Sequence, residues 1–147
     1  MSLVLNRLLV LSTQFFAFST FILAFLTLLK RSDTVAKECF AFCCFVTVWS
    51  LCFSIHISDH TDAAFGIVTV RIGNTAALLI PLTWLRFISA FTGKRMGGLL
   101  LLFLTLSTAI LVLVSPTSLF IAEVSARTLY RNFLVHGFMY HFFSGLF

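Results

Sequence analysis

The sequence predicts an all-α protein that spans a membrane, a polytopic bundle of four transmembrane helices and a short fifth. Hydrophobic residues make up 60% of its 147 residues and charged residues 10%, against roughly 45–50% and 25% in an ordinary soluble domain. A small soluble domain buries only about two-thirds of the surface of its unfolded chain, so water cannot be the main solvent here. This composition excludes a soluble enzyme, a disordered tail and a disulfide-stapled secreted domain.

Five apolar stretches define the helices of one membrane domain covering residues 1–147. We expect helices at about residues 8–29, 40–57, 63–91, 97–114 and 133–147. A spanning helix needs about 20 apolar residues, and the first four stretches meet that length. The fifth ends at Phe147, which predicts an incomplete crossing or the start of a longer helix. The first stretch is too long for a signal peptide and is expected to be a retained anchor.

The charges predict how the chain lies in the membrane. Ten Lys and Arg against five Asp and Glu give a formal charge of +5, and the cations stand singly or in pairs between apolar runs. We therefore interpret them as topology markers and expect no nucleic-acid partner. The first and third connections are basic, with Lys30, Arg31, Lys37, Lys94 and Arg95. Because basic connections stay in the cytoplasm, the N-terminus should lie outside.

One connection is long enough to form an element of its own. Residues 117–132 contain Glu123, Arg127 and Arg131, which would share one face of a helix. This pattern predicts a segment lying in the headgroup region on the outer side.

The third helix carries the residues that we expect to govern helix packing. Gly73 and Ala77 are four residues apart, a spacing of small residues that lets helices approach closely. Asn74 can donate across the same interface. Pro81 cannot donate to the carbonyl of Ala77 and should kink the helix, and Thr83 or a neighbouring helix is expected to satisfy the freed group.

Two arginines flank this helix, Arg71 at the outer mouth and Arg86 near the inner end. We expect both to be interface anchors, because a long cationic side chain can reach the headgroups. The alternative for Arg71 is an ion pair with Asp59 or Asp62.

Histidines and cysteines are the only candidate ligands for a metal or haem. His56 and His60 lie on one helix face if the second helix extends that far, and His136 enters the membrane from the same side. This permits a metal or bis-histidine haem site as an alternative, although we expect no cofactor. The four cysteines, Cys39, Cys43, Cys44 and Cys52, lie in one apolar run and are expected to be packed thiols.

No catalytic motif is visible, and the acidic residues fall in or beside loops. A proton relay would require intramembrane carboxylates, so we expect neither an enzyme nor a proton or cation pathway.

Several short motifs follow one another along the middle of the chain. They are Val48-Trp49-Ser50-Leu51, Arg71-Ile72-Gly73-Asn74, Pro81-Leu82-Thr83-Trp84-Leu85-Arg86-Phe87, Ala90-Phe91-Thr92-Gly93-Lys94-Arg95 and Val114-Ser115-Pro116-Thr117. In this order they resemble the N-terminal seven-helix region of bacterial sensor histidine kinases. The resemblance covers about Val48 to Thr117. It implies a signal-input bundle in the bacterial inner membrane, in which a stimulus shifts helix packing and a cytoplasmic output domain reads the shift.

The sequence departs from that family by stopping near the fifth helix, without an output domain. We therefore expect a non-catalytic membrane protein that acts through contacts with lipid and with other transmembrane helices. Its partner would be a separate output protein. The alternative is an accessory subunit of a larger respiratory or photosynthetic assembly, and a haem- or metal-binding electron carrier is less favoured.

Overall fold

Four helices form the membrane part of the protein in a computed structural model, which describes residues 3–57, 63–94, 97–115, 117, 121–125 and 133–136. They are α1 (Leu3–Lys30), α2 (Thr34–His56), α3 (Ala63–Thr92) and α4 (Gly98–Val114). By length and composition, α1, α2 and α3 can each cross a membrane, and α4 is a shorter apolar helix. The predicted helical membrane bundle is confirmed.

Helix α2 begins earlier than the apolar pattern indicates. We expected it near Phe40, where the apolar run starts, but its first turn is at Thr34. Asp33 explains the difference, because its Oδ1 accepts a hydrogen bond of 2.8 Å from the backbone N–H of Ala36. This N-cap satisfies one of the helix's first free donors. The first helical turns, with Lys37 and Glu38, are polar and extend beyond the apolar run.

Helix α2 is the centre of the bundle, with α1 on one side and α3 on the other, while α4 packs on α3. Small side chains line the contact with α1. Ala17 and Ala24 are 0% and 1% exposed. The hydroxyl of Thr47 donates to the carbonyl of its own helix at Cys43 (2.8 Å) and, more weakly, to that of Ala17 across the interface (3.4 Å). The helix backbones therefore lie close together.

The contact between α2 and α3 is closer still. A Cβ atom added to Gly73 would lie 2.8 Å from the Cβ of Cys52, so only glycine fits there without a shift. Ala76, on the same helix, is 4% exposed and Ala77 is half-buried. Gly73 therefore lies at the interface with α2, and Ala76 is more deeply buried than Ala77.

Helix α3 runs without a break through Pro81. The hydroxyl of Thr83 donates to the carbonyls of Leu79 (2.9 Å) and Ile80 (3.0 Å). Thr83 therefore binds two carbonyls in the turn around the proline and not that of Ala77, for which it was one of two predicted partners. The other, a neighbouring helix, stays a prediction.

Two strands follow α4 in the chain, β1 (Ile121–Ser125) and β2 (Phe133–His136). They pair antiparallel, Ser125 opposite Phe133 and Ile121 opposite His136, with an irregularity between Ile121 and Glu123. The prediction of a helix beginning at residue 133 is therefore wrong for residues 133–136. Aromatic and β-branched residues, such as Phe133 and Val135, favour strands. Pairing with β1 also satisfies backbone N–H and C=O groups that would stay unpaired in a helix of only four residues. Residues 137–147, Arg127 and Arg131 lie outside the described residues.

The substitution Gly73→Ala tests the close packing of α2 and α3. The added methyl group must displace Cys52, and overpacking of this kind costs about 1–3 kcal/mol. We expect a lower thermal midpoint in detergent, measured by circular dichroism.

Gly98→Ala is the matched control, because a Cβ at Gly98 meets nothing within 4 Å. It should leave the midpoint unchanged or raise it slightly, since alanine favours a helix over glycine. Adding Cys52→Gly to Gly73→Ala should recover part of the loss. Equal midpoints for Gly73→Ala and Gly98→Ala would contradict the close contact.

Candidate functional site

Buried polar side chains are concentrated on α2 in the half that leads to its end at His56. Ser50 is 3% exposed, Ser54 0% and His56 9%. Ser50 Oγ, Ser54 Oγ and His56 Nδ1 have no hydrogen-bond partner among the described residues. An unpaired buried polar atom costs about 1–3 kcal/mol. This end of the bundle is therefore held in a packing that leaves polar groups unsatisfied.

A small cavity between α2 and α3 brings together three of the predicted residues. Its volume is about 40 Å³, and its lining includes His56, Gly73 and Asn74, with Cys52 and Trp49. The volume exceeds the roughly 10–15 Å³ that an ordered water molecule needs, and within the mostly apolar lining His56 and Asn74 carry the polar groups that could bind it. Trp49, Cys52, Phe53 and His56 follow one face of α2, at helical spacing. That spacing could have predicted a shared interface, but not its partner on α3.

Arg71 lies on α3 and lines a separate cavity of about 310 Å³ with Phe45 and Val48 of α2. Its Nε atom is buried and has no hydrogen-bond partner among the described residues. Asp59 and Asp62, the predicted ion-pair partners, lie outside the described residues, as does His60. The role of Arg71 as an interface anchor stays a prediction.

Helices α3 and α4 are joined by a polar contact that the sequence did not predict. The hydroxyls of Thr75 and Ser115 are 2.9 Å apart, and Ser115 is 0% exposed. Thr75 also donates to the carbonyl of Arg71 (2.8 Å). If that bond uses the Thr75 proton, Ser115 is the donor in the contact between the helices.

At the opposite end of α3, Arg86 forms an ion pair that links it to α2. Its Nη2 atom is 2.6 Å from Oε1 of Glu38, and the two side chains are 56% and 16% exposed. Arg86 was predicted to lie near the inner end of the helix, but Glu38 was not predicted as its partner. The pair could have been predicted from the sequence. Antiparallel neighbours bring the start of one helix, here with Glu38, next to the end of the following helix, here with Arg86.

The candidate metal and haem ligands are placed only in part. The four cysteines are free, and no group of three or more His, Cys, Asp or Glu in the described part of the chain could hold a metal ion. His136 ends strand β2, and nothing is described of its side chain. A site between His56 and His136 stays an untested prediction.

The fold and this interface define an integral membrane protein built of apolar helices packed through small residues. The chain belongs to the family described as the N-terminal 7TM region of histidine kinase, whose sequence model matches residues 12–147. It is therefore a membrane-embedded input region of the sensor-kinase type, and that region is a sensor and not itself a catalytic domain. Searches of curated proteins and of solved structures gave no match.

The ion pair between Glu38 and Arg86 can be measured by a double-mutant cycle with Glu38→Gln and Arg86→Gln. Because Glu38 is mostly buried, we expect a coupling free energy of about 1 kcal/mol, at the upper end for exposed pairs. The measurement is thermal or denaturant unfolding in detergent at low and high salt.

The matched control pair is Arg31 and Asp33, whose Nε and Oδ2 atoms are 3.9 Å apart with side chains 74% and 50% exposed. The cycle with Arg31→Gln and Asp33→Asn should give no measurable coupling. If both cycles gave zero, Arg86 would be acting as an independent anchor.

Proposed function

We propose that the chain receives a signal without catalysis and passes it on as a change in packing between α2 and α3. The observation that supports this is the combination of a contact without spare room, Gly73 against Cys52, with His56 in the adjoining cavity, whose buried Nδ1 atom has no hydrogen-bond partner among the described residues. Tight packing limits the interface to discrete arrangements, since packed cores are not continuously deformable.

The buried Nδ1 atom of His56, which has no partner among the described residues, lowers the free-energy difference between this packing of α2 on α3 and a second packing that would pair it. A packing that paired His56 Nδ1 with Asn74, or with water in the adjoining cavity of about 40 Å³, would recover part of the cost of leaving it unpaired. A stimulus then needs only a modest difference in affinity for the two packings to shift their populations. No cofactor is required for this step.

We further propose the orientation and the partners. The N-terminus lies outside a bacterial inner membrane, because the basic residues Lys30, Arg31 and Lys94 stand at the same end of the helices. The partners are the lipid bilayer, other transmembrane helices and an output protein or domain at the cytoplasmic end.

The signalling proposal is tested by Gly73→Ala and Gly98→Ala in cells that contain the output partner. We expect Gly73→Ala to change histidine phosphorylation of the partner severalfold at equal membrane levels of the chain, because it biases the α2–α3 packing. Gly98→Ala should not. Phosphorylation is measured with radiolabelled ATP in isolated membranes.

Native purification in mild detergent decides between this proposal and an accessory subunit. Recovery of a histidine kinase, or of a free chain whose Gly73→Ala variant alters output, supports signal input. Stoichiometric recovery with a respiratory or photosynthetic complex would overturn it.

The orientation is tested with a membrane-impermeant maleimide on intact cells, in a background with the four native cysteines replaced by alanine. A cysteine at Thr61 should react from outside, while one at Ser32 should react only after the membrane is opened. The reverse pattern would overturn the orientation and leave the packing proposal standing.

A further inference from the structure

A large cavity lies at the basic end of the bundle, away from the interface described above. Its volume is about 540 Å³, and three helices and one turn contribute to it: Glu38 of α2, Arg86 and Ser89 of α3, Lys94 of the turn and Leu101 of α4. The volume falls within the range of about 300–1,000 Å³ typical of ligand sites.

The lining of the cavity carries more positive than negative charge. Arg86 and Lys94 are cations, and Glu38 is the one acid among the described residues that line the cavity. Arg86 has five N–H donors, of which one atom, Nη2, contacts Glu38. Lys94 is exposed, and its ammonium forms no ion pair with any described residue. One positive charge and several donors therefore remain available to an anion.

The turn after α3 fixes the position of Lys94. Gly93 has φ +68°, a left-handed conformation that commonly ends a helix. The hydroxyl of Ser89 donates to the carbonyl of Lys94 at 2.7 Å, which ties the turn back to the last turns of α3. Lys94 is thus held beside the helix that carries Arg86.

The level of the cavity in the membrane indicates the kind of anion. It lies where α2 begins and α3 ends, so its polar rim is at the level of the lipid headgroups. Ala90 and Leu101 form an apolar part of its wall. Phospholipids combine a phosphate with an acyl chain at this level. Basic pockets between transmembrane helices on the cytoplasmic side bind such anionic headgroups.

We propose that this cavity binds the phosphate of an anionic phospholipid, with the Arg86 guanidinium and the Lys94 ammonium on the phosphate oxygens. The acyl chain runs along Ala90 and Leu101. A phosphate on the free donors of Arg86 shares the guanidinium charge with Glu38, so the bound lipid weakens the ion pair between α2 and α3. The binding site itself does not depend on the proposed signalling function.

The test is native mass spectrometry of the whole chain in detergent, titrated with phosphatidylglycerol and, separately, with phosphatidylcholine. We expect phosphatidylglycerol to be retained preferentially. Lys94→Gln should weaken its binding roughly fivefold, equivalent to about 1 kcal/mol for one cation near a membrane surface. Lys94 is exposed, so this variant should fold.

Lys30→Gln is the matched control, since Lys30 is an exposed lysine at the same end and does not line the cavity. It should leave phosphatidylglycerol binding unchanged. Arg86→Lys keeps the charge and should retain more binding than Arg86→Gln.

Inorganic phosphate, added as a competitor, separates the two sources of a phosphate group. Displacement only at concentrations far above those of the lipid supports a lipid site. Displacement by inorganic phosphate at the lipid's own concentration range would make a free phosphate the ligand and overturn the lipid assignment. Equal losses in Lys30→Gln and Lys94→Gln, or equal binding of the two lipids, would overturn the site.

Discussion

The close approach of α2 to its two neighbours determines the rest of the structure. Lipid chains are as apolar as leucine, so burying apolar surface gives helices in a bilayer little reason to associate. What holds them is contact at short range, which small residues allow. Gly73 fits against Cys52, and Ala17 and Ala24 are fully covered. The large apolar side chains of α1 and α4, such as Phe15 and Leu113, are exposed and available to lipid.

Polar groups inside the bundle fall into two sets with different consequences. The threonine hydroxyls of Thr47, Thr69 and Thr83 donate to carbonyls one turn earlier in their own helices, so they are satisfied whatever the neighbouring helix does. Ser54 and His56 have atoms that depend on a neighbour and find none among the described residues. The threonine hydroxyls therefore stabilise each helix regardless of its neighbours. The atoms of Ser54 and His56 could gain hydrogen bonds if the helices packed differently.

The sequence predicts where the membrane helices lie along the chain, but it does not predict which face each helix turns to its neighbour. Apolar runs of membrane length predict α1 to α3 directly, and Gly73 was identified as a packing residue from its spacing. Its partner Cys52, and the pairing of Glu38 with Arg86 across 48 positions, depend on which face each helix turns to its neighbour. Nearly uniform hydrophobicity around these helices hides that face. Phe133–His136 was misassigned because a short apolar run has no period that separates strand from helix.

The outer helices α1 and α4 differ in length, so their hydrophobic mismatch with the bilayer has opposite signs. Helix α4 has 17 residues, about 25 Å of helix, which is short of the roughly 30 Å hydrocarbon core. The candidate membrane span of helix α1, Arg7–Lys30, has 24 residues, about 36 Å of helix, and can match that core by tilting. Each ångström of mismatch costs a fraction of a kcal/mol. Thickening of the surrounding membrane therefore strains the α4 flank and relieves the α1 flank, so a change in acyl-chain length acts on the two edges of the bundle in opposite directions.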